Sequence, residues 1–150
     1  MVYEPIDATL LSMDKKIDIH KVAGILIQDR KLLISRSKGK SFFISPGGKL
    51  EKGETGEDAL VRELNEEVGV VVNANDLTAF GTFFAPAAGV ENKYLQMDVF
   101  FVNRWEGEII PANEVEEVLW VNSESVEGIE IGSVFGHDVI PKLKEENYID

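Results

Sequence analysis

The stretch that decides the fold is residues 48–70, GKLEKGETGEDALVRELNEEVGV. It starts at the second glycine of a Pro-Gly-Gly turn and continues through a polar segment into a pattern typical of an amphipathic helix. Thr55 and Asp58 have the T-x-x-D spacing of a capping box, which predicts that the helix begins near Gly56. Gly69 is placed to end the helix, because glycine readily adopts the left-handed conformation that follows a helix.

The predicted helix carries two neighbouring stripes of side chains. Leucines and valines at helical spacing form an apolar stripe that suits a core. Three glutamates spaced i, i+3 and i+4 form the second stripe: Glu63, Glu66 and Glu67. Like charges at this spacing destabilise an isolated helix, and a hard divalent cation such as Mg²⁺ or Mn²⁺ would relieve the repulsion. The pattern is equally consistent with a solvated acidic face.

The same stretch resembles the signature of the Nudix hydrolases, G-x5-E-x7-R-E-U-x-E-E-x-G-U, in which U is an aliphatic residue. Every fixed position is present at the required spacing: Gly48, Glu54, Arg62, Glu63, Leu64, Glu66, Glu67, Gly69 and Val70. The resemblance implies an α/β fold, namely an α/β/α sandwich whose mixed central sheet lies between the motif helix and a C-terminal helix. It also implies a metal-dependent hydrolase that cleaves a phosphoanhydride bond in a nucleoside diphosphate linked to another group.

The resemblance assigns roles to residues of the motif. Glu66, or the more distant Glu117, is the implied catalytic base that takes a proton from the attacking water. Arg62 is implied to orient Glu54 or a neighbouring glutamate through a bidentate contact. The implied ligands of Mg²⁺ or Mn²⁺ are the backbone of Gly48 and the side chains of Glu63, Glu66 and Glu67.

A second acidic segment, residues 114–117, precedes a predicted apolar strand over residues 118–121. Many Nudix enzymes place a catalytic or metal-binding glutamate just before this strand. Glu117 matches that position best, followed by Glu116 and Glu114. In the absence of the resemblance, these acids would be read as solvent-exposed loop residues.

A basic segment lies upstream of the motif. Residues 30–40 carry five of the chain's 15 lysine and arginine residues and lead directly towards the Pro-Gly-Gly turn. This position predicts an edge that steers phosphate groups towards the acidic helix. Arg36 is the first candidate for a phosphate contact, followed by Lys38 and Lys40. An ordinary basic surface loop would have the same composition.

The other predicted elements complete the α/β reading. Two residues outside the motif are candidates for substrate contact. Asp98 is either a pocket residue or a charge at a strand edge, and Phe135 either stacks on a base or packs in the core. The predicted elements are a hairpin of strands 20–27 and 31–35, strands 77–85 and 94–103, and an amphipathic helix within residues 133–148 that starts near Pro141.

Composition limits the partners of the chain. A length of 150 residues predicts one domain over residues 19–150, preceded by an N-terminal arm or edge strand over residues 1–18. A formal net charge of -12 disfavours polymeric nucleic acid. No apolar run is long enough to predict a membrane span, and the cysteine-free chain without a signal-peptide pattern favours the cytoplasm. The expected partner is a small nucleotide bound by a monomer or homodimer.

The substrate is the least determined feature. Residues 96–100, QMDVF, are similar to a segment of the diphosphatases that clear oxidised purine nucleoside triphosphates, so NMP and pyrophosphate are the expected products. Pro86, beyond the motif, is a feature associated with ADP-ribose hydrolases, and it keeps open the alternative of an ADP-ribose or other nucleotide-sugar diphosphatase. A non-catalytic nucleotide sensor with the same fold is the alternative from another class, although the complete set of glutamates argues against it.

Overall fold

The computed structural model describes residues 16–86, 92–132 and 134–150. Most of the predicted N-terminal arm therefore lies outside the described residues. None of the helices in these ranges has the length and apolar composition of a membrane span. The elements are β1 (Ile19–Ile25), β2 (Ile27–Gln28), β3 (Lys31–Ser37), β4 (Gly47–Lys49), α1 (Gly56–Val68), β5 (Leu77–Pro86), β6 (Tyr94–Val102), β7 (Val115–Val121) and α2 (Ile140–Glu145), with a 3₁₀ turn at Ala74–Asp76 and a π-helical segment at Val134–Val139.

The strands form two sheets. The larger has the order β4-β1-β6-β5 and is mixed, because β1 is parallel to β6 whereas β4 pairs antiparallel with β1 and β5 antiparallel with β6. The smaller has the order β2-β3-β7 and is antiparallel. The predicted α/β class with a mixed sheet is confirmed. The strands predicted to start at residues 77 and 94 are β5 and β6, and α2 contains Pro141 in its first turn as expected.

The predicted hairpin over residues 20–27 and 31–35 is wrong in its pairing. The apolar run divides at Leu26, so that β1 joins the mixed sheet and only Ile27–Gln28 pairs with β3. The Leu26 carbonyl accepts the Leu33 N–H at 3.0 Å, and the Leu26 side chain is fully buried. An apolar strand can pair equally well with β3 or with β6. The pairing with β6 gives β1 a ladder of seven residue pairs.

Two clusters of buried side chains cover the two faces of the mixed sheet. Side chains alternate along β1, which sends Val22 to the α1 side and Ala23 and Ile25 to the α2 side. The α1 cluster also contains Leu60 and Leu64, and the α2 cluster contains residues of the C-terminal helix. The mixed sheet therefore lies between the two helices, as the resemblance implies.

Helix α1 begins and ends where its sequence predicts. The Thr55 hydroxyl accepts the Asp58 N–H at 3.1 Å, which satisfies a free donor of the first turn. At the other end, Gly69 has a φ of 74° and donates its N–H to the Asn65 carbonyl. The helix buries the apolar face formed by Ala59, Leu60, Leu64 and Val68.

Arg62 attaches the preceding loop to α1. Its Nε and Nη2 atoms each donate to a different oxygen of Glu54 at 2.8 Å, and Nη2 also donates to the Lys49 carbonyl at 3.2 Å. The Glu51 N–H donates to the same carboxylate at 2.7 Å. The Arg62 guanidinium and then the Glu51 N–H lower the pKa of Glu54 to about 2. This bidentate contact is the one that the resemblance implies for Arg62.

Truncation of Leu64 tests the packing of α1. Leu64 is fully buried, so Leu64→Ala should lower the free energy of unfolding by about 2–5 kcal/mol through lost apolar burial and a cavity. Val71→Ala is the control, because Val71 is 59% exposed and should cost about 0.5 kcal/mol or less. Urea denaturation measures both. Equal losses for the two variants would contradict the described packing.

The Glu54–Arg62 pair predicts a pH dependence of stability. The folded-state pKa of Glu54 is about 2 and its ordinary value is 4.5, so the ionised carboxylate stabilises the fold above pH 4.5 and this contribution declines as the pH falls towards 2. Glu54→Gln should therefore be less stable than wild type at neutral pH, and the gap should narrow in acid. Urea midpoints measured between neutral pH and about pH 3 report the gap, with exposed Glu57→Gln as the matched control. A gap that does not change with pH would refute the role of the pair.

Candidate active site at the glycine pair

The glycine pair lies on edge strand β4, where its backbone contacts both β1 and α1. Gly48 pairs with Val22 and Gly47 with Ala23. A Cβ atom on Gly48 would lie 2.6 Å from the carboxyl carbon of Glu63. A Cβ atom on Gly47 would lie 2.0 Å from the Val22 carbonyl oxygen, and Gly47 has a φ of 154°. Neither position has room for a side chain, and the Glu63 carboxylate lies directly against the Gly48 backbone.

Glu67 brings a second carboxyl group to the same place. The Gly47 N–H donates to Glu67 Oε2 at 3.2 Å. Burial raises the pKa of Glu67 to about 9, and its hydrogen bond to Glu63 adds to the effect. The raised pKa favours the protonated form of Glu67 when no cation is bound, because the half-buried position disfavours a second negative charge beside Glu63.

Arg62 connects this pair to Glu66. Its Nη1 atom donates to Glu63 Oε1 at 2.8 Å and lies 3.4 Å from Glu66 Oε2. The carboxylates of Glu54 and Glu63 raise the pKa of Arg62, which stays protonated. Glu66 is 51% exposed, whereas Glu63 is 14% exposed. The three predicted glutamates therefore lie together on α1, with Glu66 the one that solvent reaches most easily.

The donor chemistry of the site fits a hard divalent cation. As the side chains stand, the described ranges contain no group of three or more His, Cys, Asp or Glu residues already arranged around a metal position. Glu63 and Glu67 nevertheless present adjacent carboxyl oxygens, which are the ligands that Mg²⁺ and Mn²⁺ prefer. A cation would offset the negative charge of this pair beyond what Arg62 offsets, and its binding would favour the ionised form of Glu67.

Arg36 is bound to the second acidic segment. It pairs with Glu117 across β3 and β7, and its Nε atom donates to Glu117 Oε1 at 2.8 Å. Its Nη1 atom donates to Glu116 Oε2 at 3.1 Å and to the Lys40 carbonyl at 3.0 Å. The hydrogen bond to Glu117 raises the pKa of Arg36. The structure thus brings together a predicted phosphate ligand and a predicted catalytic base.

The acidic segment begins the last strand instead of preceding it. β7 starts at Val115, so Glu116 and Glu117 are strand residues and the predicted boundary at residue 118 is wrong. The pairing of Arg36 with Glu117 extends the ladder over these acids. Lys38 and Lys40 are exposed on the turn after β3, and the Lys38 N–H donates to the Glu114 carbonyl at 2.8 Å.

Asp98 and Phe135 occupy different environments. Asp98 accepts the Thr82 hydroxyl at 2.9 Å and lies 2.6 Å from His20 Nε2, so it belongs to a polar network on the mixed sheet. Gln96 also donates to Asp98, at 3.2 Å. Phe135 is 3% exposed and lies in the α2-side core. Its burial leaves no ring face for base stacking and supports the alternative that Phe135 packs in the core.

Lys21 is a charged residue that the interpretation of the sequence overlooks. It lies on β1, opposite Lys49 of β4 and Met97 of β6. Burial and the charge of Lys49 lower the pKa of Lys21, whereas the nearby Glu67 acts in the opposite direction. The sequence could have predicted this half-buried position, because side chains alternate along a strand and Lys21 falls on the same side of β1 as the buried Ala23.

Comparisons with known proteins agree with this geometry. The NUDIX domain model matches residues 18–142. The 8-oxo-dGTP diphosphatase of Haemophilus influenzae is 37% identical over 120 residues, which cover 77% of this chain and 83% of that protein. The ADP-ribose pyrophosphatase of Methanocaldococcus jannaschii is 32% identical over 99 residues, which cover 64% of this chain and 57% of that protein.

A solved structure shows the same fold. It is a MutT structure from work on the Aliivibrio salmonicida and Vibrio cholerae proteins, with a TM-score of 0.68 and 28% sequence identity over 85% of this chain and 98% of that chain. The matched residues 18–142 include the complete glutamate motif, the glycine pair, and the β1 and α1 elements that contact this pair. The chain therefore belongs to the Nudix family and is a Nudix hydrolase.

Proposed function

We propose that this enzyme hydrolyses the bond between the α and β phosphates of a purine nucleoside triphosphate, including the oxidised form, and releases NMP and pyrophosphate. The observation that carries the proposal is the placement of the Glu63 carboxyl group against Gly48 and of the Glu67 carboxyl group against Gly47, on the same helix as Glu66. The similarity to the Haemophilus influenzae 8-oxo-dGTP diphosphatase supports the choice of substrate class. We place the reaction in the cytoplasm, where a cysteine-free enzyme has no need of disulfides.

The acidic pair would hold Mg²⁺ or Mn²⁺. Glu63 and Glu67 are the proposed principal ligands, and Glu66 and the Gly48 carbonyl are further candidates. When bound, the cation supplies charge neutralisation at the phosphate oxygens and lowers the pKa of a coordinated water. The protein's own contribution is to hold these oxygens on a helix that is capped at both ends and packed in the core.

Two carboxylates can accept the proton that the attacking water loses. Glu66 is the better candidate, because it is half exposed and only one long contact, at 3.4 Å, ties it to Arg62. Glu117 has one oxygen already engaged by Arg36 at 2.8 Å. Arg62 is a positioning residue in this scheme, since its contacts fix Glu54 and Glu63 and hold the loop that precedes α1.

The basic side chains of residues 36–40 are the proposed partners of the phosphates. Lys38 and Lys40 are exposed and can attract an anionic substrate towards the site. Arg36 would have to exchange its contacts with Glu116 and Glu117 for phosphate oxygens. Carboxylate and phosphate oxygens are both anionic acceptors, so Arg36 can bind either group. Binding of Arg36 to the substrate would release the carboxylate of Glu117.

ADP-ribose is the second candidate substrate. The Methanocaldococcus jannaschii pyrophosphatase supports it, and so does Pro86 at the end of β5. Both reactions break a phosphoanhydride bond and place the same demands on the acidic pair. The two substrates differ in the group attached to the second phosphate, and the acidic pair does not distinguish between these groups.

A substrate panel tests the proposal. The purified protein is incubated with 8-oxo-dGTP, dGTP, other nucleotides and ADP-ribose, each with Mg²⁺, Mn²⁺ or EDTA, and the products are identified by chromatography and mass spectrometry. We expect metal-dependent release of NMP and pyrophosphate from a purine nucleoside triphosphate, with no product in EDTA. Release of AMP and ribose 5-phosphate from ADP-ribose alone would select the second candidate. Binding without cleavage of any compound would indicate a sensor.

Substitution of Glu66 tests its role as the base. Glu66→Gln keeps the size of the side chain and removes its charge, so turnover should fall by about 10² or more while the fold is retained. Glu57→Gln removes a charge from the exposed first turn of the same helix and should leave turnover close to wild type. Steady-state kinetics and thermal unfolding measure both effects. Near-normal turnover in Glu66→Gln would transfer the role to another carboxylate.

A further inference from the structure

Two lysines stand side by side on the α2 side of the mixed sheet. Lys21 and Lys49 are direct cross-strand partners on β1 and β4, so their side chains leave the same face of the sheet. Lys21 is half-buried because β1 is flanked by β4 and β6, whereas Lys49 on the edge strand is exposed. In the part of the chain that the structure describes, neither ammonium group has a carboxylate within ion-pair distance.

This arrangement costs stability. Like charges directly opposite each other on a sheet repel, and a half-buried ammonium group without a carboxylate partner loses hydration without compensation. The desolvation and the neighbouring Lys49 both act on the pKa of Lys21 in the direction that opposes its charge. The nearest acidic influence is Glu67, whose carboxyl group is already engaged by the Gly47 N–H and by Glu63. An anionic ligand would relieve all of these costs.

The position of Lys21 indicates which anion this is. Lys21 lies one residue from Val22, which pairs with Gly48, the glycine that contacts the Glu63 carboxylate. On its other side lies Met97 of β6, which packs against the apolar core. Lys21 faces the α2 side of the sheet and the glutamates lie on the α1 side, but both are close to the edge strand β4, and the charge of Glu67 acts on Lys21. A nucleotide whose phosphates extend around this edge from the acidic site would meet Lys21.

We propose that Lys21 is a substrate-positioning residue that binds a phosphate oxygen of the nucleotide, with Lys49 beside it as the second cation. This inference rests on the proposed function, because it takes the phosphates to lie at Glu63 and Glu67. The alternative is a structural role in which Lys21 only offsets the charge of Glu67. If Lys21 binds phosphate, removal of its ammonium group weakens the binding of nucleotide and pyrophosphate. If Lys21 only offsets the charge of Glu67, the same change affects metal binding instead.

The test compares Lys21→Met, Lys21→Arg and the wild type. Methionine keeps the unbranched stem and removes the charge, and arginine keeps the charge. Lys144→Met is the control, because Lys144 is exposed on α2 and its loss changes the net charge equally. Calorimetry measures the binding of inorganic pyrophosphate, and of a dGTP analogue with a methylene group between its α and β phosphorus atoms, in the presence of Mg²⁺. Mn²⁺ binding without nucleotide is measured separately, together with thermal unfolding.

We expect Lys21→Met to weaken the binding of both probes by about 10- to 100-fold, which is the scale of a charge-assisted hydrogen bond. Lys21→Arg should restore affinity to within about threefold, since a guanidinium also binds phosphate. Lys144→Met should match the wild type. Mn²⁺ affinity in Lys21→Met should be unchanged or higher, and the unfolding midpoint should be unchanged or higher, because an unpaired charge has been removed.

Two results would overturn the inference. Equal probe affinity in Lys21→Met and wild type would exclude a phosphate contact. Weaker Mn²⁺ binding with unchanged probe affinity would assign Lys21 to the support of Glu67. Failure of the proposed function is a separate observation, because it is the absence of turnover in the wild type, whereas the affinity for pyrophosphate tests Lys21 whether or not the nucleotide is cleaved.

Discussion

The close approach of the Glu63 and Glu67 carboxyl groups is the constraint on which the arrangement of the site depends. Two acids at this distance in a half-buried position need a proton or a cation between them. The choice of neighbouring residues is explained by this requirement. Gly48 provides the space that Glu63 fills, Gly47 donates its N–H to Glu67, and Arg62 places a fixed positive charge on the other side of Glu63.

Helix α1 tolerates this crowding because its opposite face is strongly held. Thr55 and Gly69 complete the hydrogen bonding of its ends, and the apolar face is buried against the mixed sheet. The packing of the apolar face therefore offsets the repulsion within a row of charges that would not form a stable helix in isolation. Arg36 and Glu117 repeat the principle on the smaller sheet, where the neighbouring acids and a cation hold each other in a defined geometry.

Local signals in the sequence were sufficient for α1 and its acidic stripe. Capping residues, the terminal glycine and the helical spacing all act within a few residues, so the ends of the helix and the grouping of Glu63, Glu66 and Glu67 could be predicted. The pairing of β1 could not, because an apolar strand fits several partners and the choice is made by β6, far along the chain. The same limit applies to the contact between Arg36 and Glu117, and to Lys21, whose environment exists only after β4 and β6 flank β1.

The parallel pairing of β1 with β6 also bears on how the protein is made. His20 and Gln96 are register partners separated by 76 positions, and their contact closes a long loop of chain. Helix α1 and the turn between β2 and β3 depend on local contacts and can form early, whereas this ladder forms late. During synthesis, β1 stays without its central partner until β6 has left the ribosome. The β1–β4 pair that carries the glycines is therefore joined to the rest of the mixed sheet only after residues 94–102 have been translated.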